Sequence, residues 1–363
     1  MHGDQHSTTA NWLLPAWLAL IVYASLYPFE PWVWPPGQDW QTLLALPWPR
    51  KLFPWDVQSN VIGYLPLGLL MRRSGPRLGL WRPLLAGVAL SYAMEVLQNF
   101  LPGRVPSASD LLFNSLGALL GALLGWLIQR SGLLHHSRGW REAWFETNNS
   151  SGALALMALW PMALLCPTPV PLGLGRWLPH LQELAVDALE GTQWASSWFD
   201  ADDEPLLHAL PLGFEALAVA LGLLGPVLLM LAVARRGWRR WTLAPLIALL
   251  GVLSTTLSTA LNFGPLHAWA WLTPPALPGL GIGLMLGLLA TPLPRRVCAA
   301  LGLVVLPCLI ALITHAPADP FLSISLQAWE QGRFVNLYGL GQWLGWVWPF
   351  AALAWLLASV ARR

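Results

Sequence analysis

The chain alternates between apolar runs of about 20 residues and short polar connections, and about 20 helical residues is the length that spans a bilayer. Ten such runs are predicted as membrane-spanning helices, over 11–29, 56–72, 83–101, 108–130, 152–174, 206–234, 242–262, 274–292, 297–315 and 337–359. The connections differ in charge. Those at 72–82, 130–151, 235–241 and 293–296, together with Arg362 and Arg363, hold all of the Lys and Arg except Arg50, Lys51, Arg104, Arg176 and Arg333. Cytoplasmic loops of membrane proteins keep the excess of basic residues. Both termini are therefore expected in the cytoplasm, with 30–55, 102–107, 175–205, 263–273 and 316–336 facing outward. No Lys or Arg precedes the first apolar run, so that run is expected to be a retained helix rather than a cleaved signal peptide.

Composition agrees with this pattern. Of the 363 residues, 56% are hydrophobic and 10% charged, against roughly 25% charged in soluble domains. A single soluble domain is excluded, and the expected fold class is an all-α polytopic helical membrane protein whose first partner is the lipid bilayer. The 24 Trp suit a chain with many membrane–water boundaries. A net charge of +2 without a basic face argues against nucleic acid. Cys166, Cys298 and Cys308 sit in or beside apolar runs with no Cys-x-x-Cys, so neither a disulfide framework nor a zinc site is expected. His208, His267 and His315 lack ligand spacing, and phosphate-loop, His-Glu-x-x-His and Gly-x-Ser-x-Gly signatures are absent. No metal and no cofactor are expected.

Among the outer connections, 30–55 is rich in Pro and Trp and is expected in the headgroup layer. Leu181, Leu184, Ala185, Ala188 and Leu189 follow helical periodicity. Asp319-Pro320 reads as an N-cap with Pro at the first helical position, opening a short helix that includes Trp329. Both segments are expected to lie flat at the interface. The acidic run Asp200, Asp202, Asp203 and Glu204 is expected to stay solvated, and Glu215 is a second candidate intramembrane carboxylate.

An internal repeat is expected. A shift of 163 residues superposes Arg72-Arg73 on Arg235-Arg236, Arg77 on Arg240, Asn99-Phe100 on Asn262-Phe263 and Pro102 on Pro265. After a one-residue deletion, Gly117, Gly121 and Gly125 fall on Gly279, Gly283 and Gly287, and such small-xxx-small rows let helices approach closely in lipid. The pattern implies a parallel four-helix duplication: a first unit at 11–130, a degenerate second at 152–292, and two further helices in 293–363.

Polar residues within spans are costly; a carboxylate at a helix centre costs roughly 2.5–3.5 kcal/mol on insertion scales. Glu95 therefore stands out, with Gln98 and Asn99 three and four residues on and so on the same side of the helix. Asn114 lies one turn from Asp110, and Asn60 one turn from Asp56. Arg104, in the connection between the third and fourth spans, is the expected partner of Glu95 or Asp110. A bland reading stands beside this one, in which Asn60, Glu95 and Asn114 form a network that glues three helices. In the same spirit Ser107-x-x-Asp110 reads as a capping box, and Asp56 as a cap of the second span.

The order and spacing of Asn60-Val-Ile-Gly-Tyr-Leu-Pro66-Leu-Gly68, Glu95-Val-Leu-Gln98-Asn-Phe-Leu-Pro102-Gly103-Arg104 and Ser107-Ala-Ser-Asp110-Leu-Leu-Phe-Asn114-Ser-Leu-Gly117 resemble the VanZ-like family of bacterial membrane proteins. The resemblance covers 11–130, and the remainder looks like the longer, two-part members. It implies the bacterial inner membrane, an association with glycopeptide resistance and teicoplanin tolerance, and marked positions at Asn60, Glu95, Gln98, Arg104, Ser107, Asp110 and Asn114. In the second copy Asn60, Glu95, Asp110 and Asn114 become Leu223, Ser258, Leu272 and Ala276, which implies a scaffold that has lost the site. The expected function is binding of a lipid-linked cell-wall or polysaccharide precursor, or an amphiphilic glycopeptide, at the outer leaflet. Arg104, held by Glu95, would meet an anion, and Asn60, Gln98 and Asn114 would supply neutral contacts. The alternative is an intramembrane hydrolase or transferase acting on a lipid-linked phosphate or ester. Glu95 or Asp110 would then be the general acid/base, Ser107 or water the nucleophile, and Arg104 the anion stabiliser. A purely structural role is the third reading.

Overall fold

Twelve helices carry the fold of the computed structural model, which describes residues 9–361 apart from 28, 30, 38, 53, 76–78, 132, 147–149, 167, 169, 178–209 and 317–334. Among the described residues there is no strand; the only bridge pairs Phe145 with Ala234. The chain divides into two compact units, Met1–Glu142 and Ala143–Arg363.

The first unit contains α1 (Thr9–Leu26), α2 (Trp40–Leu44), α3 (Pro54–Ser74), α4 (Trp81–Gln98) and α5 (Ala108–Arg130), and α6 (Leu133–Trp144) carries the chain to the boundary. Its spine is the seam between α3 and α5, where main chain meets main chain. A Cβ on Gly68 would strike the Ala118 carbonyl, and one on Gly121 would strike that of Leu65; Gly117 lies against the Val61 carbonyl in the same way. In lipid there is no hydrophobic drive between helices, so close contact of small residues supplies the attraction. On α4, Gly87 sits over Ala118, 2.5 Å from where a Cβ would be. α1 closes the group: Leu14, Trp17, Leu18 and Ile21 pack with Tyr64 and Leu67, and the Trp17 indole donates to the Gly63 carbonyl at 2.9 Å.

The second unit contains α7 (Ser150–Ala163), α8 (Leu212–Leu231), α9 (Trp238–Phe263), α10 (Ala276–Leu289), α11 (Arg295–Thr314) and α12 (Val335–Ala361). α8 is its buried centre, with every residue from Gly222 to Leu231 buried. The glycine row of α10 packs on α8: Gly279 faces the Ala216 carbonyl (2.6 Å to a built Cβ) and Gly283 that of Ala220 (2.8 Å). Arg240 is fully buried and donates to the carbonyls of Leu231, Ala234, Thr291 and Leu293. One guanidinium thereby satisfies free carbonyls that follow α8 and α10. Helices α7, α8, α9 and α10 pair in the pattern of α1, α3, α4 and α5: second with fourth, third with fourth, first with second, second with third, and first with third. α11 then packs on α8 and α12, and α12 on α7.

Nine of the ten expected spans coincide with a helix along most of their length. The fifth, 152–174, is corrected. α7 ends at Ala163 and the chain continues as buried irregular peptide, with Val170, Leu172 and Leu174 in the core. Pro167, Pro169 and Pro171 explain the break, because proline removes a helical N–H and forces the preceding residue out of the α region. Irregular backbone is tolerated at such depth where protein surrounds it, and here the Gly173 and Gly175 N–H groups donate to the carbonyls of Val170 and Gly345.

Among the described residues six helices are long and apolar enough to cross a membrane by length and composition: α1, α5, α8, α9, α11 and Gly341–Ala361 of α12. α3 and α4 have the length but carry the polar residues described below. The segments expected to be helical at 179–190 and from Asp319-Pro320, the acidic run at 200–204, and His208 lie outside the described residues.

Candidate functional site

The polar residues of the first unit gather where α1 and α4 end and α3 and α5 begin. Helical spacing sets three stripes. On α3, Asp56, Asn60 and Tyr64 are one turn apart; on α4, Ser91 and Glu95; on α5, Asp110 and Asn114. A β-turn joins α4 to α5. Pro102 occupies its second position, Gly103 its third with φ +88°, and the Arg104 N–H returns to the Leu101 carbonyl at 3.1 Å. A positive φ there is what this turn type demands, and glycine meets it without strain.

Glu95 is 3% exposed, and its Oε2 accepts the Ser107 N–H at 2.8 Å. Ser107 is the N-cap of α5, and its Oγ accepts the Ser109 N–H at 3.2 Å and pairs with the Ser109 hydroxyl at 2.7 Å. The expected capping box is therefore half formed. In a capping box the acidic residue three places on reaches back to the N-cap N–H; here that N–H belongs to Glu95 of the neighbouring helix. Asp110 is released and accepts from the Ser109 hydroxyl at 3.2 Å. It also faces the Asn60 side chain, and Asp56 lies close enough for its charge to be felt. Asp56 is not a cap, because α3 starts two residues earlier at Pro54. The positive ends of the α3 and α5 dipoles favour Asp56 and Asp110. Glu95 sits near the negative end of α4, where only its hydrogen bond and burial geometry hold it.

Asn114 donates from Nδ2 to Ser91 Oγ at 3.0 Å, while its Oδ1 is buried without a hydrogen-bond partner. The Tyr64 hydroxyl is also buried. It lies beside Ser91 and within the field of Glu95, without the geometry of a hydrogen bond. The expected network Asn60–Glu95–Asn114 is thus corrected: Asn60 faces Asp110, which connects through Ser109 and Ser107 to Glu95, while Asn114 bonds to Ser91.

Two expected members lie elsewhere. Arg104 Nη2 donates to the carbonyls of Tyr27 (2.8 Å) and Ala24 (3.3 Å), and Gln98 Nε2 to that of Ser25 (2.7 Å). Both tie down the C-terminal end of α1, whose last carbonyls have no intrahelical partner. Arg104 forms no ion pair with Glu95 or Asp110, contrary to expectation, and partial burial lowers its pKa from the usual arginine value.

The first connection roofs the cluster. Asn99 Nδ2 donates to Leu43 O at 3.2 Å, Tyr92 to Leu44 O at 3.0 Å, the Ala108 N–H to Pro47 O at 2.9 Å, and Val33 N–H to Phe100 O at 2.9 Å. Trp34 stacks edge-on against Trp40 and Phe100, and Trp32, Trp34, Trp40 and Trp48 are exposed. α2 opens with Asp39 as its N-cap, whose carboxyl accepts the Thr42 N–H and hydroxyl and is thereby held below its ordinary pKa.

Sequence reasoning missed Ser91, Tyr64 and Ser109. The first two stand one turn from Glu95 and Asn60, a spacing that could have drawn them in. Glu215, the other candidate carboxylate, accepts from Thr273 at 2.8 Å. Among the described residues no group of three or more His, Cys, Asp or Glu could hold a metal.

The fold and site define a polytopic helical membrane protein with a buried carboxylate–amide cluster at one end of its first unit. Residues 12–129 match the family model described as VanZ/LLP1, so this stretch is a VanZ-like segment within a longer chain. No curated protein and no solved structure matches the chain.

Proposed function

We propose that this VanZ-like membrane protein binds the polar head of an amphiphile in its Glu95–Asp110–Asn114 cluster. The ligand classes are a lipid-linked cell-wall or polysaccharide precursor and an amphiphilic glycopeptide. One observation carries the reading: buried polar groups find partners in folded proteins, yet Asn114 Oδ1 has none, beside a carboxylate that a lipid-embedded helix carries at a cost. The distribution of Lys and Arg supports the outer leaflet of the bacterial inner membrane as the place of binding, with both termini cytoplasmic. The same pairing of helices in the two units supports an ancient duplication, 11–130 copied as 152–292, with 293–363 added. In the second copy the place of Glu95 is taken by Ser258, which donates to the Leu165 carbonyl at 2.8 Å. Leu223, in the place of Asn60, is core. That half reads as scaffold.

Binding is favoured over hydrolysis because Ser107 Oγ engages Ser109, while Glu95 takes the Ser107 main-chain N–H and so is not set as a base to that hydroxyl. The test is mass spectrometry of the protein extracted with its surrounding native lipid. A specific polar lipid is expected with the wild type, depleted in Glu95→Gln and Asn114→Leu variants of unchanged helicity. Identical bulk lipid in all three would overturn the proposal.

A further inference from the structure

The Glu95 cluster has a chemical bias that narrows its ligand. Its open valences accept hydrogen bonds. Glu95 offers the oxygen that Ser107 does not use and Asn114 its unpartnered Oδ1, and Asp110, which takes the Ser109 hydroxyl and faces the Asn60 amide, keeps further lone pairs. Asp56 adds a third carboxylate at the exposed rim. The nearby donors are committed: Asn114 Nδ2 to Ser91, and Arg104 and Gln98 to the end of α1. The Asn60 amide faces Asp110, and the Tyr64 hydroxyl, able to donate or accept, is buried beside Ser91 within the field of Glu95. Among the described residues no Lys or Arg pairs with any of the three carboxylates. A phosphate would meet like charge from Glu95 and Asp110, with no Lys or Arg to offset it. An ammonium group carries three N–H donors and no acceptor, and a charge opposite to the carboxylates.

We propose that the cluster takes a protonated primary amine borne on a lipid-soluble body, with Glu95, Asp110 and Asn114 Oδ1 receiving its N–H groups. This rests on the amphiphile-binding reading above and fixes the charge of the head group. It reverses the expectation that Arg104 would hold an anion. The tail would lie among the exposed apolar residues of the helices, and the head beneath the 31–49 roof.

The test uses the full chain in detergent, with decylammonium, decyl phosphate and decyl glucoside as matched probes and thermal unfolding followed by tryptophan fluorescence. Decylammonium is expected to raise the midpoint saturably and the other two not. Apparent affinity should fall about tenfold or more in Glu95→Gln and in Asp110→Asn, as loss of a charge-assisted contact implies. The Gln variant keeps an acceptor for the Ser107 N–H, and the unliganded midpoint of each variant reports its fold. If Glu95→Gln does not fold, Asp110→Asn decides alone. Variant-sensitive binding of decyl phosphate or decyl glucoside instead would overturn the amine inference while leaving amphiphile binding intact. Stabilisation that both variants retain, or none with any probe, would overturn both.

Discussion

Glu95 does two things at once: it closes the N-terminus of α5 and places a carboxylate in the interior of the first unit. The two separate by substitution. Glu95→Gln keeps an oxygen for the Ser107 N–H, so unfolding in detergent should shift little. Glu95→Leu leaves that N–H buried and unpaired and should cost about 1–3 kcal/mol. Ser91→Ala should likewise cost about 1 kcal/mol, since Asn114 Nδ2 loses its only partner. Much of this was legible beforehand, because i and i+4 spacing alone aligns Asp56 with Asn60 and Asp110 with Asn114, and burial cost singles out Glu95. Arg104 was misread for a physical reason. Along a sequence a cation is matched to the nearest carboxylate, whereas the turn at Pro102-Gly103 carries it to the bare carbonyls of α1, which no sequence pattern advertises.

At the level of helices, the decisive contacts are those of glycine with main chain. Alanine at Gly68 or Gly121 would have to displace a carbonyl of the facing helix, and overpacking of this kind costs about 1–3 kcal/mol. Gly63, on the same helix, has open space around it, so Gly63→Ala should be neutral or slightly stabilising. Thermal unfolding of the three variants checks the contrast. The glycine rows were visible as a period of four, and they pack where that period implies. The end of α7 was hidden, because an apolar composition persists through Pro167-Thr-Pro-Val-Pro171 while the helix stops at Ala163. Hydropathy reports depth, and proline reports geometry; past Ala163 the two diverge. Arg104→Ala should loosen the last turn of α1, seen as faster amide exchange over residues 22–27 with little change elsewhere.

For the molecule as a whole, the sidedness implied by the basic residues has a direct check. Val105 is 81% exposed at the α4–α5 turn. In a Cys308→Ser background, Val105→Cys should react with a membrane-impermeant maleimide applied to intact cells; labelling only after permeabilisation would reverse the orientation. The architecture was legible because long apolar runs and loop charge are set by the bilayer itself, but the identity of the site's partners depended on turns and caps. The α3–α5 seam has a further mechanical consequence. Where Gly68, Gly117 and Gly121 of these two helices meet main chain there is no side chain to yield, so α3 and α5 should move as one rigid post. A disulfide across the α3–α5 seam should therefore go unnoticed in any measurement of the unit's motion.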